Sequence, residues 1–140
     1  MVEFQELNHI QWQIDNAYHE AAVKMGLSDS EMWILYILSA SGNSCLQSVM
    51  RKETCMIKTT VNSSLKKMER EGFLRLEPGK GRNVRVILTD EGEELAKRTA
   101  WRLIEAENRI YESWTPEERE MLERLNRSFA EKLKKEVQRL

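Results

Sequence analysis

Apolar positions follow two different periods along this chain. From Val2 to Met25, Phe4, Leu7, Gln11, Ile14, Tyr18, Ala21 and Met25 recur at steps of three and four, a largely apolar stripe that predicts an amphipathic helix. Gly26 can end that helix in a left-handed conformation. Ser28-Asp29-Ser30-Glu31 has the form of a capping box, with Ser28 as N-cap and Glu31 reaching back. The helix it opens carries Met32, Ile34, Leu35, Tyr36 and Leu38, apolar nearly all round, and so belongs in the core. Ser41 to Ser44 reads as a turn. A short helix at about Leu46–Glu53 follows, then a break over Thr54–Ile57, then a longer helix at about Lys58–Glu71 closed by Gly72. In the longer helix Val61, Leu65 and Met68 form an inner stripe, with Thr59, Asn62, Ser63, Lys66 and Arg70 on the opposite face.

The period changes at Phe73. Phe73–Glu77 and Val84–Leu88 are short β-prone runs, and in the second Val84, Val86 and Leu88 alternate with Arg85 and Ile87. Pro78-Gly79-Lys80-Gly81-Arg82-Asn83 between them reads as a hairpin tip. Thr89 then caps a long helix, about Asp90–Ser113, whose first turn is acidic and whose stripe is Leu95, Thr99, Leu103, Ala106 and Ile110. Thr115-Pro116-Glu117-Glu118 is a strong helix start, and the last helix sets Leu122, Leu125, Phe129, Leu133 and Val137 on one face.

Composition narrows this picture. The 140 residues are 41% apolar, enough for one core, and two prolines with six glycines argue against a turn-rich β-sandwich. No stretch approaches the ~20 apolar residues of a membrane span, and the acidic start lacks the basic, then apolar, pattern of a signal peptide. The expected location is therefore the cytoplasm. Cys45 and Cys55 are the only cysteines, too few for a disulfide framework, and with His9 and His19 ten apart no metal-ligand spacing arises. No cofactor is expected. The net charge of -1 conceals an uneven distribution: residues 47–85 carry ten Lys or Arg against four acids, whereas residues 1–46 carry one Lys against six acids. A basic centre between acidic or neutral flanks suggests that one region meets an anion.

Three helices followed by a two-stranded hairpin are the parts of a winged helix-turn-helix. The major groove of duplex DNA admits an α-helix and exposes a hydrogen-bonding code on the base edges. A helix that reads it needs an apolar back and an outer face of hydroxyls, amides and cations, the division seen from Thr59 to Arg70. Thr59, Thr60, Asn62 and Ser63 are candidates for base edges. Lys58, Lys66, Lys67 and Arg70, with Lys80, Arg82 and Arg85 of the wing, are candidates for phosphates. The terminal helices exceed what such a domain requires, and their near-heptad stripes call for a partner. A homodimer also suits paired half-sites about one helical turn apart. The expected class is mainly α with a small β-hairpin wing. Residues 1–27 and 90–140 would form a helical dimerisation region, and 28–89 the DNA-binding part of one compact unit.

Thr60-Val61-Asn62 and Lys67-Met68-Glu69-Arg70-Glu71-Gly72-Phe73-Leu74, with the wing ending Val86-Ile87-Leu88-Thr89-Asp90-Glu91-Gly92, resemble the MarR family of winged helix-turn-helix transcriptional regulators. The resemblance is specific over about residues 46–92 and elsewhere rests on helix order and length. It implies a dimeric regulator, usually a repressor, binding pseudo-palindromic duplex DNA, whose affinity a small molecule or an oxidant often tunes. Two positions depart from the pattern. Lys80 stands where the family usually has the Asp that braces the wing arginines, and Ile57 where it has a capping Ser or Thr. Ile cannot accept the helix-end hydrogen bond, a loss of ~1 kcal/mol unless Thr54 caps a longer helix.

Other residues admit two readings. Trp12, Trp33, Trp101 and Trp114 are core or interface packing, or else Trp12, Trp33, Tyr36 and Trp101 surround an effector pocket between the first, second and fifth helices, where the family's ligands often lodge. Cys45 and Cys55 are small packing residues, or thiols whose oxidation misplaces the reading helix. His9 and His19 read as polar positions on the first helix. No nucleophile with its base, no Gly-rich phosphate loop and no paired carboxylate motif points to an enzyme. The rivals to a DNA-binding regulator are a winged-helix module that binds protein and a thiol-based redox sensor.

Overall fold

The computed structural model describes residues 2–79, 81 and 83–140. Helices α1 (Gln5–Lys24), α2 (Asp29–Ala40), α3 (Gln47–Thr54), α4 (Lys58–Arg70), α5 (Asp90–Arg98), α6 (Ala100–Glu112) and α7 (Pro116–Gln138) alternate with strands β1 (Ser44–Leu46), β2 (Leu74–Pro78) and β3 (Val84–Leu88). The chain forms two compact units, one ending at Ile104 and the other comprising Glu105–Leu140.

Helix α2 is the axis of the first unit. Its capping box forms as the spacing requires: Ser28 Oγ accepts from the Glu31 N–H at 3.1 Å, and Glu31 Oε1 accepts from the Ser28 N–H at 3.0 Å. Met32, Ile34, Leu35 and Leu38 are fully buried. Ile34, Leu35 and Leu38 join Met50 of α3, Val61, Leu65 and Met68 of α4, Leu74 of β2, Val86 and Leu88 of β3, and Ala96 of α5 in one core. Fully burying a Leu- or Met-sized side chain is worth about 1.5–3 kcal/mol, so this stripe-to-stripe packing is the main force holding the unit together.

Helix ends follow from glycine. Gly26 and Gly72 adopt φ of +71° and +86°, and each lets the next N–H fold back, Leu27 to the Ala22 carbonyl and Phe73 to that of Met68, both at 2.9 Å. The sheet is antiparallel in the order β1-β3-β2. Strand β1 enlarges the expected hairpin to three strands. Its three residues are too few to show a period of two, and they become a strand by pairing Ser44 with Ile87, Cys45 with Val86 and Leu46 with Arg85. The long helix expected over Asp90–Ser113 is instead broken at Thr99 (φ -128°, ψ -91°), where the buried hydroxyl donates to the Leu95 carbonyl at 2.6 Å. Such back-bonding by a β-branched residue competes with the helical ladder.

The hairpin and α4 meet at Thr89. Its N–H donates to the Phe73 carbonyl at 3.1 Å and its hydroxyl donates to the Gly72 carbonyl at 2.6 Å. The same oxygen accepts from the Gly92 N–H at 3.1 Å, capping α5. A Cβ on Gly92 would collide with the Phe73 carbonyl oxygen, which explains the glycine three residues after the threonine.

In the second unit, Thr115 and Glu118 form the expected capping box with Pro116 at the first helical position. Arg119 closes the turn: Nε donates to the Tyr111 carbonyl at 2.7 Å, Nη2 to that of Glu112 at 3.1 Å, and the guanidinium lies 4.9 Å from the Tyr111 ring centroid. These bonds satisfy carbonyls left open at the end of α6. Helix α7 has no buried residue.

Gly92→Ala should destabilise the protein by about 1–3 kcal/mol, because the backbone oxygen it strikes is itself hydrogen-bonded and cannot easily shift. Its chemical-denaturation midpoint should fall clearly below that of the wild type. An unchanged midpoint would refute the close approach.

Candidate nucleic-acid interface

Helix α4 turns Val61, Leu65 and Met68 inward and leaves Lys58, Thr59, Thr60, Ser63, Lys66 and Arg70 exposed. Its orientation is set from α2. Ser64 Oγ lies 2.6 Å from Ser30 Oγ, and Lys67 Nζ lies 3.3 Å from Glu31 Oε2 and 3.8 Å from Glu71 Oε1. Glu31 thus closes its own helix cap while holding α4. Burial would raise its carboxyl pKa, but the Ser28 N–H and hydroxyl and the Lys67 ammonium outweigh this and hold it below the ordinary value of 4.5. Lys67 therefore faces two carboxylates, whereas Lys58, Lys66 and Arg70 have no ion-pair partner among the described residues.

The base-edge candidates differ in how free they are. Thr59 and Thr60 are exposed in the first turn, and the Ser63 hydroxyl donates to the Thr59 carbonyl at 2.9 Å. Asn62 is half-buried, and its carbonyl oxygen accepts a hydrogen bond from the side-chain amide of Gln47, the first residue of α3. Gln47 was not among the residues singled out by pattern. It lies fifteen positions from Asn62, and only the turn between α3 and α4 brings the two amides together.

That turn also fixes the unusual helix start. Ile57 is the N-cap of α4, makes no side-chain cap bond and is 71% exposed. Thr54 does not substitute for it: it ends α3, and its hydroxyl donates to the Met50 carbonyl at 2.7 Å. The wing pairs Leu74 with Leu88 through Pro78 with Val84. Arg85, exposed on the central strand, stands opposite Glu77 and donates to Ser44 Oγ at 3.4 Å. Lys80 and Arg82, the tip candidates, lie outside the described residues.

Tyr18, Trp33 and Tyr36 form an aromatic cluster, with ring centroids 5.0 Å and 5.3 Å from Trp33. A cavity of about 220 Å3 beside it is lined by Asp15, Tyr18, His19, Asp29, Met32 and Trp33. Trp12 and Trp101 are not among its lining residues, and both are exposed. His19 Nδ1 lies 2.9 Å from Asp29 Oδ1 in an exposed pair between α1 and α2. Cys45 is buried on β1, and that burial pushes its thiol pKa up despite nearby Arg85. Cys55 is exposed at the left-handed end of α3 (φ +56°). Among the described residues no group of three or more His, Cys, Asp or Glu is placed to hold a metal ion, and no helix is long and apolar enough to cross a membrane.

Known structures show what this arrangement is similar to. A MarR-family regulator from Neisseria meningitidis, NMB1585, superposes with a TM-score of 0.87 at 19% identity, covering 99% of each chain. A MarR-family transcriptional regulator from Silicibacter pomeroyi is 27% identical, with a TM-score of 0.71 over 89% of this chain and 86% of its own. Sco3205, a MarR-family transcriptional regulator from Streptomyces coelicolor solved in complex with DNA, has a TM-score of 0.72 at 22% identity, covering 95% of this chain and 89% of its own. The sequence matches no family model, and no curated protein matches it significantly.

Glu31 makes the docking of α4 pH-dependent. Its folded pKa is depressed, so its contribution is complete above the unfolded carboxylate value and is lost as pH falls through the folded one. Stability should therefore decline below about pH 4.5, with Glu31→Gln less stable than wild type at neutral pH and flatter through that window. Parallel wild-type and variant profiles would show that the carboxylate does not anchor the helix.

Proposed function

We propose that this chain, which has the winged-helix fold of the MarR family of transcriptional regulators, is a homodimeric repressor of transcription that binds a pseudo-palindromic duplex site. The face of α4 carries the proposal. An apolar back seats it on α2, while hydroxyls, an amide and the cations Lys58, Lys66 and Arg70 occupy its outer side. That division suits a helix in the major groove, phosphates binding the cations and base edges facing Thr59, Thr60, Asn62 and Ser63. The strand cation Arg85, and in sequence Lys80 and Arg82, belong to the basic region of residues 47–85.

Dimerisation rests on the terminal helices. In α7, Leu122, Leu125, Phe129, Leu133 and Val137 stay between 43% and 54% exposed, and Phe4, the N-cap of α1, with Leu7, Ile10 and Ile14 of α1, between 40% and 54%. Contiguous apolar faces of this length mark interaction surfaces, and a second copy supplies matching ones. Residues 1–27 and 90–140 are thus assigned to assembly, and 28–89 to DNA. Small-molecule control is assigned to the aromatic region of Trp12, Trp33, Tyr36 and Trp101, where a ligand favouring one spacing of the paired reading helices would shift the population. A ligand that perturbs Trp33 fluorescence without altering duplex affinity would count against that assignment.

A folded dimer should bind a duplex whose half-sites lie about one helical turn apart, with affinity falling steeply as salt rises. Arg70→Ala should weaken binding alike across sequences and reduce the salt slope by about one. No duplex binding by the folded protein at low salt would sink the proposal. Phe129→Glu should convert the dimer to a folded monomer in sedimentation at about micromolar concentration, since it buries a charge in the apolar face. A wild type already monomeric there would refute the dimer.

A further inference from the structure

The turn into α4 covers one apolar residue and exposes the next. Cys55 ends α3 in a left-handed conformation (φ +56°), Met56 is then half-buried against the core, and Ile57 faces outward as the N-cap of α4. Ile57 is 71% exposed, and among the described residues only Val2 and Leu140, at the chain ends, match or exceed it. The position departs from two local preferences together. A Ser, Thr, Asp or Asn there would accept a hydrogen bond from the first turn of the helix, which Ile cannot do. A branched apolar side chain is also left facing water. Coincident departures of this kind concentrate at functional positions.

The surroundings narrow what can cover this side chain. Every exposed residue from Lys58 to Arg70 is polar or charged, so Ile57 continues no apolar face of α4, unlike the stripes on α1 and α7 that call for protein. The exposed cations Lys52 and Lys58 lie on either side of it in sequence. A reading helix brings its N-terminal residues to base edges while cations around them meet phosphates. The base edges in the major groove present hydrogen-bond donors and acceptors and a single kind of methyl group, that on C5 of thymine. We infer that Ile57 is a specificity-determining residue whose exposed side chain packs on the C5-methyl group of a thymine, selecting that base at one position of each half-site. The missing helix cap is thus exchanged for apolar recognition. This inference rests on the DNA-binding reading of α4.

The test begins with selection of the half-site from a random duplex pool. Each selected thymine is then replaced by deoxyuridine, which removes the methyl group and keeps every hydrogen-bonding group. Wild-type affinity should fall about fourfold for one thymine of a half-site and about fifteenfold when both half-sites are changed. With cytosine at that position, 5-methylcytosine should recover a similar factor. Ile57→Ala, first shown by its thermal melt to be folded, should bind thymine and deoxyuridine equally at that position and keep the wild-type response at every other. Ile57→Ser should lose the same methyl dependence while melting above the wild type, because its hydroxyl restores the cap. If no thymine of the half-site shows the methyl effect, or if Ile57→Ala retains it, the inference is overturned with DNA binding intact. A wild type that binds no duplex would overturn the functional reading as well.

Discussion

Two backbone carbonyls, those of Gly72 and Phe73, hold the interface in register with the rest of the first unit. Thr89 donates to both, from its hydroxyl and its N–H, while its hydroxyl oxygen caps α5. Gly92 lets the start of α5 approach because no Cβ stands in the way of the Phe73 oxygen. One residue therefore connects the exit of α4, the close of the wing and the beginning of α5. The path between the first two is the hairpin itself, so the wing cannot tilt independently of the helix beside it. The proposed function depends on this constraint, because groove and backbone contacts count only when their spacing is held.

Helix α4 is seated from the other side by α2. Apolar burial supplies the energy, and the short polar links specify the orientation. Ser30 meets Ser64, and Glu31 meets Lys67 while completing the cap of its own helix. The charge distribution fits this division. Lys67 is drawn toward the carboxylates, and Lys58, Lys66 and Arg70 remain for an outside anion. The absence of a capping side chain at Ile57 leaves N–H groups at the start of α4 without a side-chain acceptor, at the helix end where an anion is favoured.

The apolar faces of α1 and α7 pose a different problem. Exposed single hydrophobes are ordinary, but five aligned large residues along one helix with no buried member are not. The strong cap at Thr115 and the Arg119 clasp hold α7 as a long helix, presenting that stripe as one continuous face. Symmetry makes a second copy the simplest cover, and in the proposed function it would supply the pairing that a palindromic site needs.

Local sequence determined much of this molecule because its signals act within one or two helical turns. The capping boxes at Ser28 and Thr115, the stops at Gly26 and Gly72, and the split of α4 into an apolar back and a polar face all appear where the spacing places them. Tertiary structure decided what depends on distant partners. Ser44–Leu46 becomes a strand only against β3, about forty positions away in sequence. The aromatic cluster joins Tyr18 of α1 to Trp33 and Tyr36 of α2, a grouping set by how the two helices pack. Asn62 and Lys67 stood out as polar positions, but their contacts with Gln47 and Glu31, residues fifteen and thirty-six positions away, follow only from the packing of helix on helix. Periodicity reports which face of a helix is polar. Only the packing of helix on helix determines which donors and acceptors on that face are already engaged.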